Sequence, residues 1–99
     1  MKHTRIWAES TWEIMLKVED VADFDHARKP FRAHNVRLRW VTGGPLANGV
    51  YAVIYGRRVL KTRKLGCEAQ YPLFVGPNAP EWLRELVTAY QDQVQRDRS

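Results

Sequence analysis

Ten lysines and arginines, and not one aspartate or glutamate, occupy residues 26–67 of this 99-residue chain. Cationic side chains gathered without carboxylates suit one kind of chemistry, the neutralisation of phosphates or carboxylates on a partner. The ten are Arg28, Lys29, Arg32, Arg37, Arg39, Arg57, Arg58, Lys61, Arg63 and Lys64. The rest of the chain holds six basic residues and all eleven acidic ones, and the formal net charge of the whole is +5. Charge segregated in this way has two uses. Either the basic middle meets an acidic partner such as a phosphate backbone, or it meets the acidic ends of the same chain or of another copy.

Metal and catalytic chemistry have weaker claims. Asp23 and Asp25, with Glu19 and Asp20 close by, offer the oxygen ligands that a hard cation such as Mg²⁺ takes, and a metal beside a basic patch is how a nuclease is built. The lysine and further acidic residue of a nuclease centre do not stand at a matching spacing, so a solvated acidic loop is the simpler reading. His26, His34 and Cys67 are too far apart in sequence to form a ligand motif. Gly43-Gly44-Pro45 is not followed by the Gly-Lys-Ser or Gly-Lys-Thr of a phosphate loop. The chain therefore reads as non-enzymatic, with no catalytic residue, metal site or cofactor.

The basic residues need a scaffold, and hydrophobic periodicity describes one. Residues 11–18 alternate, with Trp12, Ile14, Leu16 and Val18 on one side and Thr11, Glu13, Met15 and Lys17 on the other, the mark of a half-buried strand. Residues 35–41 repeat the arrangement, placing Val36, Leu38 and Trp40 inward and Arg37 and Arg39 outward, and Thr42-Gly43-Gly44-Pro45 favours a turn after them. Residues 50–55 are apolar or aromatic at every position, between Asn48-Gly49 and Gly56. Such a run predicts a central strand covered on both faces. From Gly56 the chain is expected to turn back through Arg57 and Arg58 into a strand over 59–65, and another over 68–75. A brief strand at 4–8 pairs with the next through Glu9-Ser10. Residues 19–33 have no clean period and read as a loop with a short helix around 21–27.

The last element is helical. Asn78-Ala79-Pro80-Glu81 has a capping residue, a proline suited to the first turn and a glutamate at capping-box spacing. Beyond it Trp82, Leu83, Leu86, Val87, Tyr90 and Val94 recur at helical steps, opposite Arg84, Glu85, Gln91, Asp92 and Gln95.

These elements predict one α+β domain over residues 1–99, an antiparallel sheet of four or five strands with one C-terminal amphipathic helix packed on it. An apolar content of 44 % with 27 % charged residues is that of a folded chain rather than a disordered one. The opening residues lack the apolar run of a secretory signal, and no segment has the roughly 20 apolar residues of a membrane span. The lone Cys67 fits a reducing compartment, so a cytoplasmic protein without a membrane partner is expected. One helix covers one face of a sheet; the second face calls for the 19–33 segment or for another copy, hence a homo-oligomer.

On this reading Arg37, Arg39, Lys61 and Arg63 share an outward face, joined by Arg57, Arg58 and Lys64, and the seven bind nucleic acid. Tyr51 and Tyr55 add a surface for base stacking. The alternative is a protein-interaction or homo-oligomeric accessory domain whose basic surface meets an acidic protein partner. Neither reading rests on a known signature. The aromatic strand 48–55 lacks the leading basic residue and internal aromatic spacing of an RNA-recognition motif, and zinc-finger, basic-zipper and helix-turn-helix patterns are absent. Small size and the want of a catalytic constellation suit an accessory protein of the kind phages carry.

Overall fold

The computed structural model describes the backbone of residues 2–10, 13–26, 28–41 and 49–98 and the side chains of 3, 4, 13–25, 28–40 and 49–91. The expected turn at 42–45, together with Thr11, Trp12 and Ala27, lies outside the described residues. Among the described residues six strands form one sheet: β1 (Lys2–Ser10), β2 (Glu13–Glu19), β3 (Phe24–His26), β4 (Lys29–Val41), β5 (Gly49–Val59) and β6 (Leu65–Phe74), followed by helix α1 (Glu81–Arg98). The strand order is β1-β2-β4-β5-β6, with β3 paired to the beginning of β4 and every pair antiparallel. The fold is the α+β arrangement that periodicity predicted.

Alternation along the strands decides which side is buried. Ile14, Leu16 and Val18 of β2, Val36, Leu38 and Trp40 of β4, and Val50, Ala52 and Ile54 of β5 form one core with Ala79, Trp82, Leu83, Leu86 and Val87. Removing this apolar surface from water is the main stabilising term. Pro80 opens the helix, its carbonyl accepting from the amides of Leu83 and Arg84 at 3.0 and 3.1 Å. The first turn thus lies two residues beyond the expected cap, Asn78. Tyr90, a helix turn beyond Leu86 and Val87, meets His3 of β1 through a 2.9 Å hydrogen bond between hydroxyl and Nδ1.

Three expectations are corrected. Residues 24–26 form a strand, not part of a helix; Phe24, Asp25 and His26 pair with Phe31, Pro30 and Lys29, and Arg28 turns the hairpin with φ of 63°. The strand was hidden because β4 carries a bulge between Ala33 and Asn35. The bulge shifts the inward positions from Phe31 and Ala33 to Val36, Leu38 and Trp40 and breaks the two-residue period. The second correction concerns Gly56, which lies within β5 and not at a turn. β5 runs on to Val59, and the chain reverses over residues 60–64, closed by Leu60 N–H to Lys64 O and Arg63 N–H to Leu60 O, both 2.8 Å.

The third correction is to the cover of β5. Its burial alternates, with Val50, Ala52 and Ile54 buried and Tyr51, Val53 and Tyr55 half-buried. Only the helix side is covered among the described residues, because the segment expected to close the other face joins the sheet as β3.

Candidate nucleic-acid interface

The register lays out the face opposite the helix in rows, since directly paired residues project to the same side of a sheet. Glu13, Arg39, Tyr51 and Phe74 form one row across β2, β4, β5 and β6. Met15, Arg37, Val53 and Pro72 form the next, and Lys17, Asn35, Tyr55 and Gln70 the third. Past the bulge, Arg32, Arg57 and Glu68 continue the face. Arg37 and Arg39 therefore project outward, as alternation predicted.

Carboxylates from both flanks of the basic segment reach this face. Arg37 donates to Glu13 through Nε. Arg32 grips Asp23 with two hydrogen bonds, Nε to Oδ1 at 2.9 Å and Nη2 to Oδ2 at 3.0 Å, the fork geometry particular to arginine. His34 meets Glu68 at 3.1 Å, and Lys17 meets Glu19 at 3.3 Å. The hydrogen bond to Asp23, and then its charge, raise the pKa of Arg32 above the ordinary arginine value. Hydrogen bonds to Glu13 and then Tyr55 raise that of Arg37, against a smaller effect of burial. Both remain cations at any working pH. Asp23, an oxygen donor of the acidic loop, is thus held by Arg32, and no three His, Cys, Asp or Glu side chains gather among the described residues.

The remaining cations collect at one end of the sheet. Phe31 pairs with Arg58, so the start of β4 lies beside the end of β5, and the β3–β4 turn at Arg28 lies near the β5–β6 turn at 60–64. Arg28, Lys29, Lys61, Arg63 and Lys64 are exposed there, and none makes an ion pair with another described residue. Arg58 lies over the Phe31 ring, 5.9 Å from its centroid, and Arg57 donates to the Gly66 carbonyl at 2.8 Å. Asp25, opposite Pro30, and Glu68, opposite Arg57, are acidic groups near this end. Leu60 and Leu65 add exposed apolar surface, at 50 % and 39 %.

The seven expected site residues consequently do not form one patch. Lys61, Arg63 and Lys64 lie on a turn and not at alternate positions of a strand, because β5 extends through Arg57 and Arg58. Arg39 stands eight residues along β4 from the position paired with Arg58, about 26 Å at the rise of a strand. Arg28 and Lys29 join the cluster although periodicity could not place them. Their signal was the missing carboxylates around them; their position depended on the β3–β4 pairing.

Fold and charge together define a small α+β domain with one basic hairpin end and one open sheet face. Among the described residues, no helix is long and apolar enough to cross a membrane. No protein-family model, curated protein or solved structure matches the chain.

Proposed function

We propose that the protein is a non-enzymatic nucleic-acid-binding domain that holds the phosphate backbone at its basic hairpin end, in the cytoplasm, where a lone exposed thiol such as Cys67 stays reduced. The observation that carries this reading is the meeting of two basic turns, Arg28-Lys29 and Lys61 to Lys64, at one end of the sheet, with no ion pair to another described residue. Several cations gathered at one end of a sheet give affinity through counterion release and no sequence information by themselves.

A salt titration tests it. With about five phosphate contacts, log affinity for duplex DNA falls against log salt with a slope near −4 to −5. Reversing Lys61, Arg63 and Lys64 to glutamate abolishes most of that slope. Undetectable binding at low salt, or a slope that the triple variant leaves intact, defeats the reading.

A second reading has its own support. Leu60 and Leu65 flank the cations of the turn as exposed apolar side chains, a mixture that suits an acidic protein surface with an apolar centre. Such a partner gives binding that survives nuclease treatment and is lost in a Leu60→Ser, Leu65→Ser double variant.

A further inference from the structure

The open face carries a row of side chains that phosphate neutralisation does not use. Tyr51 and Phe74 stand opposite one another on β5 and β6, their ring centroids 5.1 Å apart and their planes inclined by 58°. Phe74 is 51 % exposed, the highest exposure of any described large hydrophobic residue. Arg39 pairs with Tyr51 on the other side and is exposed, with no ion pair to a described residue. Between them Glu13, Arg37, Arg39, Tyr51 and Val53 line a hollow of about 170 Å³.

The charge here favours an anion. Arg37 and Arg39 outnumber Glu13 in the first two rows, Lys17 of the third being paired with Glu19, and the Arg37 side chain is 39 % exposed while that of Glu13 is 14 %. The cation of that pair, more than the carboxylate, meets solvent. An anionic partner with flat apolar faces has the complementary chemistry: its phosphates meet arginine and its bases lie on aromatic rings.

We propose that the row Arg39–Tyr51–Phe74 is a stacking platform for unpaired bases, so that the nucleic acid held is single-stranded. The proposal rests on the nucleic-acid reading above and narrows it. In a duplex the faces of the bases are covered by their neighbours, and base edges are read by a helix or ribbon that enters a groove. A broad sheet face does neither. A single strand lays its bases on the face while its backbone runs toward the hairpin end, where Arg58 stands seven residues from Tyr51 along β5, about 23 Å away, a path within the span of single-strand sites.

The test uses the full chain, a labelled 20-nucleotide oligothymidylate, and a 20-base-pair duplex, each titrated at low salt. The single strand is expected to bind at least tenfold more tightly than the duplex. Phe74→Leu keeps an apolar side chain but removes the ring; it is expected to weaken single-strand binding by about 5- to 100-fold and to leave duplex binding within twofold. Tyr51→Leu behaves likewise. If duplex binds as tightly as single strand and Phe74→Leu changes neither, the platform is overturned while binding at the hairpin end stands. If neither probe binds, both readings fall. Should the free protein be a dimer whose native mass is halved by Phe74→Ser, the face belongs to a second copy and the platform is likewise overturned.

Discussion

The Phe31 ring lies over Gly56: a Cβ on that glycine would come within 2.7 Å of two ring carbons and 2.2 Å of the Arg32 carbonyl oxygen. The pairing of Ala33 with Gly56 brings the two strands so close that only a hydrogen fits. Phe31 is fully buried, and the clash with Arg32 is with backbone, so neither neighbour can move cheaply. Gly56→Ala is therefore expected to destabilise the fold by about 2 to 3 kcal/mol, the upper part of the range for overpacking. A lower denaturation midpoint with unchanged m reports it; a midpoint equal to that of the parent protein contradicts the packing described.

Arg63 occupies the left-handed region with φ of 63°, a conformation that glycine enters without steric cost. Arg63→Gly should leave stability unchanged or raise it by up to about 1 kcal/mol. The same variant removes one cation from the hairpin end. Its salt slope on duplex DNA should be shallower by about 0.9. An unchanged slope excludes Arg63 from the interface.

Glu13 is held by Arg37 beside the hollow on the open face. Glu13→Gln leaves the shape of the pair and removes its negative charge, so stability should change by less than about 1 kcal/mol. Affinity for oligothymidylate at low salt should rise about two- to fivefold, and the gain should vanish at high salt. A loss of affinity would place the carboxylate itself in contact with the ligand.

Leu86 is fully buried where the helix meets the sheet. Leu86→Ala leaves a cavity there, and a cost of about 2 to 5 kcal/mol is expected in equilibrium unfolding. Should that variant unfold at the parent midpoint, the helix does not supply the cover assigned to it.

Much of the scaffold was legible because burial on one side imposes a two-residue period on strands and a 3.6-residue period on helices. Periodicity places Ile14, Leu16 and Val18, then Val36, Leu38 and Trp40, and the helix positions Trp82, Leu83, Leu86 and Val87 inward, and all of them are buried. Failures occurred where the period is interrupted. The bulge before Asn35 disguised the first part of β4 and with it β3, and Gly56 resembled a turn because a glycine required by a ring overhead has the same letter as one required by a reversal.

The amino-acid order alone determined that the chain makes an antiparallel sheet with a terminal helix, that its charge is segregated, and that Arg37 and Arg39 project from the sheet. These follow from local spacing, which needs no knowledge of neighbours. Only the tertiary structure decided which cations meet carboxylates among the described residues and which gather apart from them. Arg32 finds Asp23 and Arg37 finds Glu13, whereas Arg28, Lys29, Lys61, Arg63 and Lys64 are carried to a common end by two separate hairpins. Electrostatic contact depends on distance in space, and strand pairing between residues far apart in the chain sets that distance.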